Sequence, residues 1–549
     1  MQKSLKFSFI ILIAIILVGA FLRFYKLDWG QGQFSHPDEY HIVISANQLS
    51  FPNQMNPHFF NYGTFSIYLN YFTKQLSDLN PFLIGRFYSA LFSTLTIPLI
   101  YLISLTFLNK KYALLAAALV ALTPGLIQQA HFLTPESNLI FFVFLSLYFL
   151  ILFTKKLNSK FLILTSISLG FALGIKISSA VFLLPSLLAI IITYWKSPLK
   201  IIGFSTLFLI LTSLFFFLVA PFVFLDFPNF LSSFKYESSL AAGSIPVFYT
   251  RQFINTIPVL FQFEKIYPFA LGPAILFFGT AGFLAMCSSI FRQCHCHPAL
   301  DAGSIKSELD SCFRRNDKDT TLVFLFIILN STFLILFLSN AFLFAKWTRF
   351  ISPTFPFFAI FSAFLLFKIS QLKIHKFIPL ILNSLFLILT VLWTLAFFSI
   401  YIKDDVRLQT SYWIQQNLPP STVFMEEGNM IDVPLSEKFN KLSLNFYDLD
   451  KNYLTQQKLK EDLKKADYFI VQSRRVFKNH QRLPEKFPQT AEFYNQLFSG
   501  ISGFTEIKEF HSFPQISFLG KTLEIPDENA EETWSVFDHP VIRIFQKND

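Results

Sequence analysis

Charge is what this sequence has least of. Only 15% of its 549 residues are Asp, Glu, Lys or Arg, too few to coat the roughly three or four water-soluble domains that such a length would otherwise suggest. Cysteine is scarce as well: of four, Cys287 lies in an apolar run and Cys294, Cys296 and Cys312 fall in one short stretch, which excludes a disulfide framework. The net charge of +10 comes without a basic stripe interleaved with exposed aromatics, so nucleic acid is not an expected partner. No small-residue cleavage site follows the first apolar run, Phe7 to Phe24, so that run reads as a retained membrane span and not as a removed signal.

What is abundant is apolar bulk. Hydrophobic residues make up 53% of the chain, 74 of them Phe, and mean hydropathy is +0.48. Apolar runs of about 18 residues or more signal membrane-spanning helices. Eleven are expected, at about 7–25, 83–107, 112–130, 138–154, 161–176, 178–195, 201–225, 268–291, 321–343, 350–368 and 377–401. Cytoplasmic loops favour Lys and Arg, and an inside amino terminus (Lys3, Lys6) places Lys110, Lys111, Lys155, Lys156, Lys160, Lys196, Lys200, Arg292, Lys306, Arg314, Arg315, Lys318, Lys368, Lys373 and Lys376 inside. The short outer loop 131–137 has no Lys or Arg.

The fold class expected is therefore a polytopic α-helical membrane domain, 1–401, followed by a soluble domain, 402–549, where composition turns polar and no further span occurs. An odd number of spans puts the soluble domain outside, in the compartment of the long outer loops 26–82 and 226–267. "VRLQTSYWIQQN" reads as helix, "DYFIVQS" and "VIRIFQK" as strands, giving an α/β class.

Ionisable groups near spans are functional candidates. Arg23, Asp38, Glu39, Arg86, Glu136, Lys176, Lys346 and Arg349 all map to outer span ends or outer loops. That distribution describes a polar site at the outer membrane surface and not a conduction path. Taken singly, Arg23 and Arg86 also suit snorkelling to the interface, and Lys346 suits an interfacial anchor. The stretch "FSHPDEYH" holds adjacent carboxylates, Asp38 and Glu39, which on a helix cannot point the same way. One can meet the reacting group while the other orients the loop or binds a cation. A carboxylate near apolar surface has a raised pKa, suited to a general base. His36 and His41 read as hydrogen-bonding residues ahead of metal ligands.

Three further stretches extend the pattern: "HFLTPESNLIFFVF" with Glu136, "GFALGIKISSAVFLLP" with Lys176, and "KWTRFISPTFP" with Arg349. With "HPDEYH", their order along residues 1–400 resembles the GT-C class of membrane glycosyltransferases, nearest the family of protein O-mannosyltransferases and the bacterial aminoarabinose transferase (glycosyltransferase family 39-like). The tail "ENAEETWSVFDHPVIRIFQK" is similar to the soluble ending of bacterial members. The resemblance implies that Asp38 deprotonates the acceptor, Glu39 is its partner, and Glu136 is the second acid, a position more often Asp. Lys176 and Arg349, with Arg86, are then the expected binders of a lipid-linked phosphate. "NPHFFNYGTFSIYLNYF" resembles the family's interfacial helix.

The implied activity moves a sugar from a polyprenyl-phosphate-linked donor to a protein, lipid or glycan acceptor at the outer face of a bacterial cytoplasmic membrane. A divalent cation, Mg or Mn, held by Asp38 and Glu136 is an expected addition. The competing classes are a secondary transporter or lipid flippase, which needs mid-span charges and an internal inverted repeat that the sequence does not display, and a non-catalytic envelope-binding relative. Finally, "CHCHPALDAGSIKSELDSCFRRND" interrupts the predicted cytoplasmic loop 292–320. Its Cys-x-Cys spacing is not that of structural zinc sites, and it reads as a neutral insert resembling translated repeat elements.

Overall fold

The computed structural model describes residues 2–295, 318–372, 377–428 and 430–548. Cys296 to Asp317, most of the expected insert, lie outside the described residues, as do Lys373 and Lys376. The chain forms two compact units. The first comprises Met1–Leu27, Asp38–Ala242 and Pro258–Thr394, and the second Asp28–Pro37, Gly243–Ile257 and Leu395–Asp549.

Helices occupy all eleven expected span positions. Nine among the described residues are long and apolar enough to cross a membrane. A tenth position holds two helices, α5 (Lys110–Ala121) and α6 (Pro124–Ala130), bent by 53°. The eleventh is a shorter apolar helix of 17 residues, α8 (Ser159–Ile175). The bend follows from Pro124, which has no N–H to give and disfavours helix at the residue before it. The carbonyls freed at the end of α5 find a donor in Arg23, on α1 (Gln2–Phe24): its guanidinium donates to the Val120 and Ala121 carbonyls, each at 2.9 Å, and to Ser93 Oγ at 2.7 Å. Arg23 is thus fully buried. The snorkelling reading of it is corrected, because an internal set of acceptors satisfies the guanidinium where the lipid interface otherwise would.

Two short helices follow α1. α2 (Pro37–Asn47) opens with Pro at its first position, where a missing N–H costs nothing, and α3 covers Phe65–Gln75. Only the second half of the expected interfacial segment is therefore helical. Ile42, Val43 and Ala46 of α2 pack with Ile67 and Tyr71 of α3, with Phe82 of α4 (Pro81–Ser104) and with Leu133 of the loop before α7 (Glu136–Lys156). This buried cluster anchors the helix that carries the Asp-Glu pair.

The second unit is α/β, as the sequence reading expected. A five-stranded sheet runs β2-β1-β3-β7-β4, from β1 (Val423–Glu427), β2 (Asn440–Leu444), β3 (Tyr468–Val471), β4 (Phe504–Phe510) and β7 (Ile542–Lys547). β1 pairs in parallel with β2 and β3, whereas β7 runs antiparallel to both β3 and β4. β5 (Gln515–Phe518) and β6 (Lys521–Glu524) form a separate hairpin. Two segments from the loops between helices, Asp28–Pro37 and Gly243–Ile257, are bound into this unit. Gln252 donates to Glu531 (2.7 Å), Arg482 donates to the Ile254 carbonyl (2.9 Å), and Trp29 packs edge-on to Tyr401. Buried charge is handled by pairing: His539 sits between Asp527 (2.8 Å) and Asp538 (2.5 Å), and these carboxylates outweigh desolvation and lift the imidazole to about 10.

Candidate functional site

The adjacent carboxylates of α2 part company. Glu39 turns inward to Arg86 on α4, which donates Nε to Oε1 at 2.7 Å and Nη2 to Oε2 at 3.0 Å. Both side chains are fully buried. The Leu133 amide donates to the same Oε1 at 2.9 Å, Arg86 reaches the Leu27 carbonyl at 2.7 Å, and its guanidinium lies 3.9 Å from the centre of the Phe82 ring. A bidentate pair with these extra bonds ties α2, α4 and the loop before α7 together. Arg86 is therefore neither a snorkelling residue nor grouped with Lys176 and Arg349.

Asp38 faces the other way, toward Arg349 of the short helix Thr348–Ile351, which donates to Asp38 Oδ2 and, at 3.2 Å, to the Tyr62 hydroxyl. Glu136, in the first turn of α7, accepts from Lys176 Nζ at 3.0 Å. Asp38, Glu39 and Glu136 all stand in first turns of helices, where the helix dipole favours negative charge, and Lys176 caps the carboxyl end of α8, where it favours positive charge. The Lys176 ammonium also lies over the Phe350 ring at 4.8 Å and the Tyr62 ring at 5.7 Å. Within the Asp38–Arg349 and Glu136–Lys176 pairs, two buried polar atoms, Glu136 Oε2 and Arg349 Nε, have no hydrogen-bond partner.

Backbone contact holds this arrangement. Gly63 donates to the Ile175 carbonyl at 2.9 Å, and a Cβ at Gly63 would stand 2.0 Å from the Gly174 carbonyl oxygen. Only glycine lets the Tyr62 loop approach the end of α8 so closely, and the contact brings Tyr62 beside Lys176. Lys346, expected as an interfacial anchor, is buried, with its ammonium on the Phe344 carbonyl at 3.0 Å.

A cavity of about 260 Å³ is lined by Lys176, Arg349, Asn61, Tyr62 and Glu237 on its polar side and by Leu139, Val143, Leu336, Leu343 and Phe350 on its apolar side. Glu237, on the helix Phe227–Ala242, is a residue the sequence reading missed. It lies in the stretch "KYESSLAAG", and nothing in its spacing relates it to Asp38. Burial raises its carboxyl above the usual range, Arg349 pulls it down, and Asp38 pushes it up again. Burial likewise holds the Tyr62 phenol well above its ordinary value, with Arg349 opposing, so Tyr62 stays a neutral hydroxyl.

Asp38 and Glu136, the expected metal pair, each already carry a side-chain cation, and among the described residues no group of three or more His, Cys, Asp or Glu is placed to hold a metal ion. His36 packs on Phe537 at 4.3 Å and His41 stacks on Phe59 at 5.9 Å. A divalent ion here would have to displace Lys176 or Arg349, and the donor set does not fit one as it stands.

Against known proteins, residues 57–236 match the family model described as dolichyl-phosphate-mannose-protein mannosyltransferase. Among solved structures, the Archaeoglobus fulgidus oligosaccharyltransferase in its apo form shares 13% identity over 88% of this chain and 72% of its own, with a TM-score of 0.53. The two chains share a fold. The AglB oligosaccharyltransferase from the same archaeon, in complex with an inhibitory peptide and a dolichol-phosphate, gives 12% identity, coverage of 98% and 75%, and the same TM-score of 0.53. ArnT from Cupriavidus metallidurans bound to undecaprenyl phosphate covers 97% of each chain at 12% identity, but its TM-score of 0.47 is too low to carry an argument. No curated protein matches by sequence. The family match takes in Tyr62, Arg86, Glu136 and Lys176 and leaves Asp38, Glu39, Glu237 and Arg349 outside it.

Proposed function

We propose that this protein transfers a sugar from a polyprenyl-phosphate-linked donor to an acceptor at the outer face of a bacterial cytoplasmic membrane, with Asp38 as general base. The observation that carries the reading is the cavity itself, which combines two cations, Lys176 and Arg349, with apolar walls. A lipid phosphate requires both: charge-assisted donors for its oxygens and a water-poor surface for its chain. The family described as using a dolichyl-phosphate-linked mannose and the dolichol-phosphate held by AglB support the same donor class.

The chemistry follows from the pairings. The acceptor hydroxyl gives its proton to the Asp38 carboxylate as its oxygen bonds to the anomeric carbon. The bond from that carbon to the phosphate oxygen breaks, and lipid phosphate leaves with the electron pair. Lys176 and Arg349 meet the charge that gathers on the leaving phosphate, and such preorganised cations act strongly in a site shielded from water. Arg349 serves two partners. It donates to Asp38 and lines the cavity in which the phosphate is proposed to lie. Glu39, locked to Arg86, orients α2 and takes no proton.

Binding of polyprenyl phosphate to the purified protein tests the donor site. Arg349→Ala or Lys176→Ala removes a charged hydrogen bond worth about 1.5–3 kcal/mol, so affinity falls roughly 10- to 100-fold. Unchanged affinity in both variants would remove the phosphate from this cavity and the donor class with it.

A further inference from the structure

The carboxylate that lines the cavity, Glu237, has no part in the transfer as described above. Glu237 lines the same space as Lys176 and Arg349, and Asn61 Nδ2 donates to its Oε1 at 2.7 Å, fixing the carboxylate and leaving Oε2 for another donor. Glu237 stands close enough to Arg349, Lys176 and Asp38 to feel the charge of each. Ser179 borders the cavity too; it is 96% buried, and its hydroxyl has no partner among the described residues. A buried hydroxyl left unpaired is costly unless a ligand completes it. Asp38, by contrast, is not among the residues that line the cavity.

We propose that Glu237, held by Asn61, and Ser179 are the residues that recognise the sugar of the donor, a polyhydroxylated ring whose O–H groups donate to Glu237 and whose oxygens accept from Ser179. The inference rests on the phosphate reading of Lys176 and Arg349. In a glycosyl phosphate the sugar is joined directly to the phosphate, so polar groups sharing the phosphate's cavity are within reach of its hydroxyls. The acceptor must approach the anomeric carbon from the side opposite the leaving phosphate, where its proton meets the base. Asp38 is bonded to Arg349 yet is not among the residues that line the cavity, so the cavity is assigned to donor and the acceptor to the Asp38 side. A site built to bond hydroxyls discriminates strongly, because a ligand lacking them strands its buried polar groups.

The test compares polyprenyl phosphate alone with a panel of polyprenyl-phosphate hexoses and pentoses, binding each to the full-length protein in detergent. In wild type, at least one member binds tighter than the bare carrier, and that gain is the sugar's contribution. Glu237→Gln keeps the size but loses the charge, and Ser179→Ala loses the hydroxyl. Each reduces the gain for the best member by about tenfold, the size of one good hydrogen bond, while affinity for bare carrier stays within twofold. Equal loss for bare carrier and sugar-bearing lipid would overturn the sugar assignment and make Glu237 part of the phosphate site. A wild-type protein that gains nothing from any sugar would overturn it as well. Failure of bare polyprenyl phosphate to bind wild type would instead overturn the donor reading on which it rests.

Discussion

Replacing Glu39 with glutamine separates the two carboxylates of α2 by what each does. The Glu39–Arg86 pair has no solvent exposure on either side chain and two charge-assisted bonds, 2.7 and 3.0 Å. Glutamine can still accept from the Leu133 amide, but it turns one N–H toward the guanidinium and leaves that cation without its counter-charge in a low-dielectric interior. Breaking one side of a buried pair costs about 3–5 kcal/mol, a large fraction of the roughly 5–15 kcal/mol that holds a typical protein folded. Removing both partners with Glu39→Leu and Arg86→Met should restore most of that loss, because apolar replacements of similar volume are often neutral. The assay is reversible unfolding in detergent of Glu39→Gln and of a double-mutant cycle made of wild type, Glu39→Leu, Arg86→Met and the double variant, with sugar transfer measured alongside. Glu39→Gln should be markedly less stable while its folded fraction retains turnover. Wild-type stability with transfer down a hundredfold would place Glu39 in the chemistry and refute the positioning role.

Two further outcomes are expected. Chelation should leave sugar transfer unchanged, since Lys176 and Arg349 already pair with Glu136 and Asp38; activity lost to EDTA and restored by Mg or Mn would contradict this. In the second unit, burial lifts the Glu427 carboxyl from its ordinary value of about 4.5 to about 8. A carboxyl whose folded pKa exceeds its unfolded one stabilises below about pH 4.5 and loses that contribution as pH rises through about 8, so thermal stability should fall across that window in wild type and fall less in Glu427→Gln. Parallel curves for the two proteins would remove Glu427 as the cause.

Much of the membrane unit was legible because a span announces itself by length and apolarity, which need no knowledge of neighbours. All eleven expected positions carry helices, and only the break at Thr123-Pro124 and the brevity of α8 depart from simple spans. In the second unit the helix Val406–Asn417 and strands β3 and β7 were readable from their periodicity, while the strand order, with β7 placed between β3 and β4, was not. Side-chain partnership was hidden for the same reason. Nothing local shows that Arg23 ends inside, on carbonyls about 100 residues away in sequence, or that Glu39 belongs to Arg86 and Asp38 to Arg349. Glu237 was missed because its neighbours in the chain are ordinary loop residues and its relation to the cavity exists only after folding.

The most direct measurement of the central claim is sugar transfer from a polyprenyl-phosphate-linked sugar in membranes carrying Asp38→Asn. Asparagine keeps the shape and can still accept from Arg349, but it takes no proton at neutral pH. Loss of a general base lowers the rate by about 100- to 10,000-fold, and stability should change far less than in Glu39→Gln because the Asp38 side chain is 11% exposed and its Arg349 partner 23% exposed. The account predicts a well-inserted, folded protein that binds polyprenyl phosphate and transfers almost no sugar. Turnover near that of wild type in such a protein would contradict it.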